Sequence, residues 1–228
     1  MEITWLGHGS FRFDTNDGTR VYVDPFLNYN PKCPDDEKEP ERIDVIAVTH
    51  GHMDHVADLV DLQKKHNPVF VGMIEIGDWL VGKHDIAEDK VQAGNKGGAT
   101  EASGVRFTLV NAQHSSSLPD GSYGGEAAGI VVEADGKTVY FAGDTDVFGD
   151  MQLIGRLYSP DLAVLPIGDY YTMGPKQAAL ALELLGVKRC LPCHYGTFPP
   201  LVGTPAELKK LAKGVTVEDI EPGQSITV

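Results

Sequence analysis

The chain is poor in cysteine, in basic residues and in long apolar runs, and each shortage removes a class of protein. Three cysteines in 228 residues are too few for a disulfide-stapled scaffold. No apolar run reaches the roughly 18 residues that a transmembrane helix requires. The N-terminus has no basic lead-in followed by an apolar core, so no secretory signal and a cytoplasmic location are expected. Lysine and arginine number 19 against 33 aspartates and glutamates, a formal net charge of −14. Such a surface is well solvated and repels nucleic acid, leaving a small molecule as the expected partner. A local basic pocket for a small anion is still compatible with it, as is a homo-oligomer. Gly/Ser linkers, charged tails and repeats are also missing, which favours one domain over residues 1–228.

What the chain does have is concentrated in Thr49-His50-Gly51-His52-Met53-Asp54-His55. This H-x-H-x-D-H run follows the apolar stretch Val45-Ile46-Ala47-Val48. The pattern is that of a buried strand ending at a site. His50 and His52 are two apart, so an extended chain points them the same way. Asp54 and His55 follow where the chain can turn and offer a second set of donors. Imidazole with carboxylate suits zinc, manganese, iron or nickel.

Further donors stand where other apolar segments stop. His114 follows Val105–Val110, Asp144 follows Val139-Tyr140-Phe141-Ala142-Gly143, and His194 follows Cys190-Leu191-Pro192-Cys193. Rigid strands aim such residues from one edge of a sheet. Asp24, at the end of Arg20–Val23, is a candidate partner to a ligand rather than a ligand. A turn aspartate before Pro25 is the alternative.

The order H-x-H-x-D-H, lone histidine, Gly-Asp after a strand, late histidine resembles the metallo-β-lactamase superfamily. More narrowly it resembles a small metal-dependent hydrolase branch related to the ascorbate-6-phosphate lactonases. Trp5-Leu6-Gly7-His8-Gly9-Ser10-Phe11, Asp24-Pro25-Phe26, Phe141–Asp146, Thr172–Pro175 and His194-Tyr195-Gly196-Thr197 carry that narrower likeness. The resemblance implies a four-layer α/β/β/α sandwich. It assigns His50, His52 and His114 to one metal, Asp54, His55 and His194 to another, and Asp144 to a bridge. It implies two divalent ions, zinc first, with manganese, iron or nickel as alternatives. Two ions about 3.5–4 Å apart share a water and lower its pKa towards about 7. The expected activity is therefore hydrolysis of a small ester, lactone or phosphate ester by a metal-bridging hydroxide, with Asp54 as the candidate proton acceptor. The alternatives are an iron-dependent redox enzyme on the same fold and a non-catalytic metal-binding protein. A nuclease is disfavoured by the charge.

The remaining motifs are weaker. Cys190-Leu191-Pro192-Cys193-His194 matches a haem-attachment pattern, but that pattern requires export. Buried thiols on a strand delivering His194 are the better reading. Cys33 is expected as a free loop thiol. His8, between two glycines, is a candidate substrate contact or a turn residue. Tyr171, after Tyr170 in the same loop, is a second candidate substrate contact. His66 and His84 are expected at a helix end and a surface loop. Ser115–Gly125 reads equally as a mobile lid or a polar connection. Gly94–Gly98 lacks the strand-to-helix context of a phosphate cradle.

The coarse pattern predicts strands at Glu2–Gly7, Ser10–Asp14, Arg20–Asp24, Ile43–Val48, Val69–Val71, Val105–Asn111, Ala128–Glu133, Thr138–Phe141, Leu162–Pro166 and Arg189–Pro192. Helices are predicted over Asp54–His66, Glu75–Val81, Asp150–Leu157 and Pro175–Leu185, and from Thr204 onward.

Overall fold

A computed structural model describes every residue from Met1 to Val228. Early strands β1 (Glu2–Trp5), β2 (Phe11–Asp14) and β3 (Arg20–Val23) pair antiparallel. The β2–β3 turn is the Asn16-Asp17-Gly18 segment, with Gly18 at φ +89°. Strands β4 (Val45–Ala47), β5 (Val69–Met73) and β6 (Val91–Gly94) then add in parallel. The second half repeats the plan. Strands β7 (Ala99–Ala102), β8 (Val105–Asn111), β9 (Ala128–Ala134) and β10 (Lys137–Phe141) are antiparallel. Strands β11 (Leu162–Pro166), β12 (Arg189–Cys193) and β13 (Thr216–Val217) follow in parallel. The last strand, β14 (Ser225–Thr227), returns to pair with β1. Each sheet thus has seven strands.

Helices cover the outer faces and complete the α/β/β/α sandwich. They are α1 (Met53–Val56), α2 (Leu59–His66), α3 (Ile74–His84), α4 (Met151–Tyr158), α5 (Pro175–Leu185) and α6 (Pro205–Leu211). Phe11 and Phe13 of one sheet pack on Phe141 of the other, with ring centroids 5.6 and 6.2 Å apart. These rings belong to a core that takes buried residues from both halves of the chain and reaches Leu59 and Leu80 under the helices. A second core lies between β10–β12 and helices α4, α5 and α6, around Tyr140, Leu165, Leu182 and Leu208. Every residue of β4 and β11 is buried. This is why both read as continuous apolar runs rather than alternating ones.

Three local expectations change. The helix predicted over Asp54–His66 is two helices, broken at Ala57-Asp58. The buried Asp58 carboxylate accepts hydrogen bonds from Leu27 N (2.7 Å) and Asn28 Nδ2 (2.7 Å), and Asp58 N donates to Pro25 O. These long-range bonds pull the chain out of a continuous helix. The helix predicted over Glu75–Val81 runs longer, from Ile74 to His84. There His84 sits on the Trp79 ring, with centroids 4.1 Å apart, rather than in a surface loop. Strands β6, β7, β13 and β14 were not legible in the sequence. They are short, and their glycine, alanine and threonine content gives little period-two signal. Gly94–Gly98 is the connection between β6 and β7 and leads into no helix.

Candidate metal centre

The parallel strands of both sheets end on one rim, and the polar donors sit there. Thr49-His50-Gly51-His52 leaves β4, and Asp54 and His55 lie in α1 immediately after. Gly143-Asp144 leaves β10, and His194 directly follows β12. His114 stands just beyond β8. Three donor-bearing turns use non-glycine residues at left-handed dihedrals: His8 (φ 55°), Asp24 (φ 50°) and His194 (φ 54°). Such residues cost about 1–3 kcal/mol each and persist only where surrounding contacts hold them. The contacts are present here. His194 N and Trp5 Nε1 both donate to His8 O, each at 3.0 Å.

Two groups of side chains result. The donor nitrogens of His50, His52 and His114 converge within 4.8 Å, and so do donor atoms of His8, Asp54, His55 and His194. Asp144 lies between the groups. Its Oδ2 is 3.1 Å from His194 Nε2, 3.5 Å from His114 Nε2 and 3.9 Å from His50 Nε2. Its Oδ1 is 3.4 Å from His55 Nε2. All seven predicted ligand residues therefore meet in one place.

Hydrogen bonds fix which ring nitrogens face inward. Asp24 accepts from Thr49 N (2.7 Å), Thr49 Oγ1 (2.6 Å) and His55 Nδ1 (2.8 Å). His55 Nε2 is thereby directed at Asp144. Thr49 Oγ1 has given its only hydrogen to Asp24, so it accepts from His50 Nδ1 at 3.1 Å and leaves His50 Nε2 a bare acceptor. Asp24 also groups with His50 and His55 as a possible ligand, but its two oxygens are already engaged by Thr49 and His55. Glycine is required beside this frame. A Cβ on Gly9 would lie 2.7 Å from His55 Cε1, and one on Gly143 (φ +60°) 2.7 Å from Thr49 Oγ1.

The donor set fits divalent ions. His55 Nε2 and His194 Nε2 are buried without an aligned hydrogen-bond partner, although Asp144 is close. Orphaned buried groups cost about 1–3 kcal/mol each. His50 Nε2 and His52 Nδ1 face each other at 3.1 Å. Nitrogens so placed are joined by one proton or one cation, and tetrahedral zinc with bonds of about 2.0–2.1 Å implies N–N separations of about 3.3 Å.

The charges are arranged accordingly. Burial opposes the charged form of Asp144, yet His194 and His55 hold its carboxyl well below the usual range. Burial also opposes a charged His55, but Asp144 and Asp24 outweigh it and raise its pKa well above the ordinary value. Burial lowers the pKa of His50 well below the ordinary value, leaving that ring neutral. For Asp54, burial is outweighed by His194 and His8, and its carboxyl is held far below the usual range.

A sequence profile of the β-lactamase superfamily domain matches residues 19–195. The chain belongs to the β-lactamase superfamily. Within it, a UPF0173 metal-dependent hydrolase of Koribacter versatilis is 46% identical over 99% of this chain and 97% of its own length. A protein of the same description from Methanopyrus kandleri is 44% identical, over 99% of each chain. Among solved structures, Igni18, a metallo hydrolase from the archaeon Ignicoccus hospitalis, superposes with a TM-score of 0.86 at 33% identity. That match covers 99% of this chain and 97% of Igni18. The two-sheet sandwich is the superfamily fold, and the relatives place the chain among its metal-dependent hydrolases.

The other candidates fall into place around this superfamily site. His8 is fully buried at the cavity wall, and Asp54 Oδ2 accepts a hydrogen bond from its Nε2 at 2.9 Å. His8 therefore holds a donor carboxylate as well as lining the cavity. Tyr171 lines the cavity and Tyr170 does not. Ser115–Gly125 is a pinned hairpin. Ser117 bridges Tyr123, Ser116 Oγ accepts from Gly51 N at 3.0 Å, and Asp120 accepts from Trp79 Nε1 and Lys83 Nζ. Only Ser115 of this segment borders the cavity. Cys190 and Cys193 are buried free thiols whose pKa burial pushes up, as packing residues require. Cys33 is free but buried, its thiol pushed up to about 12. Thr49 and Ser116 were missed from sequence. Thr49 adjoins the first histidine and was open to notice, but nothing local marks Ser116 as the anchor of a loop 65 positions earlier.

Proposed function

We propose that this chain, acting as one domain, is a dinuclear metal-dependent hydrolase of a small ester, lactone or phosphate ester. The observation that carries the reading is Asp144, a single buried carboxylate within 3.1–3.9 Å of rings from both donor groups. His50, His52 and His114 would hold one ion, Asp54, His55 and His194 the other, with Asp144 shared. Zinc is the first choice by donor type, and manganese, iron or nickel are accommodated by the same set. Ions bound there supply Lewis acidity and bring the pKa of a water molecule towards about 7.

The chain's own residues do the rest. Asp24 and Thr49 keep His55 and His50 in the tautomers that face inward. His8 orients Asp54, whose side chain is about one-third exposed at the cavity. Asp54 is the carboxylate placed to carry a proton between substrate and solvent. Its low pKa makes that carriage transient rather than a resting protonation. Chelator is expected to abolish turnover of esters, and zinc or manganese to restore it. Ser115→Ala should keep this metal-dependent turnover, with at most weaker metal binding, because the Ser115 hydroxyl hydrogen-bonds the outer nitrogen of a ligand, His52 Nε2, at 3.2 Å. Chelator-resistant turnover that disappears in Ser115→Ala would replace the reading with a serine nucleophile.

Metal uptake should release protons. In the metal-free protein burial works against a charged His194, but Asp144 and Asp54 raise its pKa to about 9. At pH 7 the ring is thus protonated, and a metal must displace that proton. Affinity is expected to climb with pH and to level off above about pH 9. The sign for stability is the reverse. A raised pKa stabilises the metal-free fold below the unfolded value of 6.5 and loses that stabilisation as pH rises through about 9. Calorimetric titrations in buffers of different ionisation enthalpy count the protons. Uptake that releases none at pH 7 would remove both His194 and His55, each held protonated by raised pKa values, from the ligand set.

A further inference from the structure

The cavity over the donor cluster has a volume of about 670 Å³. Every charged or titratable carboxylate and imidazole on its wall belongs to the cluster itself or to His8, and no lysine or arginine lines it. The remainder of the wall is largely apolar: Phe26, Tyr29, Met53, Tyr171, Phe198 and Leu201 are on it. Several of these side chains lie open at its rim. Tyr29 is 72% exposed, Met53 and Tyr171 57% each, and Phe198 36%. Large apolar groups gathered around a polar centre mark a binding surface rather than chance exposure. Phe198 also packs edge-on against His8, with centroids 5.4 Å apart, so the apolar wall begins beside the donors.

We infer that the substrate is a carboxylic ester or lactone whose non-reacting part is uncharged and apolar, an alkyl or aryl group seated on Phe198, Tyr29 and Met53. This deepens the hydrolase reading above and rests on it. A phosphate or carboxylate remote from the reacting carbonyl would find no cation on this wall, and its desolvation would go uncompensated. The protein's net charge of −14 adds a repulsive field for any anion approaching. A sugar-phosphate lactone is therefore a poor fit. In the reaction a water oxygen bonds to the carbonyl carbon and the acyl C–O bond breaks. The alcohol oxygen leaves with one proton of that water. The other passes to solvent, and a carboxylate and an alcohol remain.

The test compares phenyl hexanoate with the phenyl half-ester of adipic acid on the metal-loaded protein. The two share the reacting carbonyl, leaving group and chain length and differ only in a distal methyl or carboxylate. The neutral ester is expected to be favoured in kcat/KM by about tenfold or more. Phe198→Ala should lower kcat/KM for it, and Tyr29→Lys should narrow the preference by raising turnover of the half-ester. Equal or better turnover of the half-ester overturns the inference while leaving the hydrolase reading standing. Binding is read separately by saturation-transfer NMR with the ketone isosteres of both compounds, which carry a methylene in place of the ester oxygen. The neutral isostere should bind more tightly, and less so to Phe198→Ala. If neither ester turns over, carboxylic-ester hydrolysis at this site fails while the wider hydrolase reading stands, and the isosteres still decide the wall's preference. Tighter binding of the charged isostere would overturn it.

Discussion

Replacing Asp144 by asparagine is expected to strip metal from both halves of the site and to remove activity. The side chain is the same size, so the substitution removes charge and one acceptor without opening a cavity. Asp144 is the carboxylate that approaches both His50 and His114 on one side and His55 and His194 on the other. Its loss leaves each group with a majority of neutral nitrogen donors and no shared anion. Metal ions contribute several kcal/mol of transition-state stabilisation, so the rate should fall by about three decades or more. The thermal stabilisation given by added zinc should shrink as well, because a ligand held at 100 times its Kd contributes about 2.7 kcal/mol. His114→Ala should instead spare the ion held by Asp54, His55 and His194. Elemental analysis separates the cases. Equal metal content in the wild-type protein and Asp144→Asn would end the bridging assignment.

Asp24→Asn is expected to weaken metal binding by about 10–100-fold without direct contact with an ion. Asparagine tolerates the left-handed dihedrals of this position (φ 50°) as aspartate does, so the backbone turn should survive. The loss is chemical. Three donors, Thr49 N, Thr49 Oγ1 and His55 Nδ1, need acceptors, and an amide has one oxygen. An N–H facing the His55 ring would disturb both its orientation and its basicity. Leaving one buried donor unsatisfied also costs about 1–3 kcal/mol of stability. Competition with a chromophoric chelator measures the affinity, and denaturant unfolding of the metal-free protein measures the stability. Affinity unchanged in a variant destabilised by that amount would make Asp24 a structural residue only.

The His50–His55 run was legible because it is local. An apolar strand followed by donors two apart states its own geometry. Asp144 and His194 were legible for the same reason, each standing at the end of an apolar segment whose periodicity needs no partner to be read. The break at Asp58 was not, because the bonds that cause it come from Leu27 and Asn28, thirty-odd positions away. The anchoring of Gly51 by Ser116 and the pairing of β14 with β1 were hidden likewise, since each joins backbone far apart in sequence. The sequence by itself determined which residues can donate to a metal, and that they follow the ends of apolar strands. The tertiary structure alone decided that the parallel edges of two sheets share a rim and that Asp144 falls between two donor groups. It alone brought Tyr29, Met53 and Phe198, from two loops and the start of α1, to the cavity beside Tyr171. The physical reason is range: strand and helix periodicity is set by nearest neighbours along the chain, whereas convergence in space is set by how the buried faces of both sheets pack.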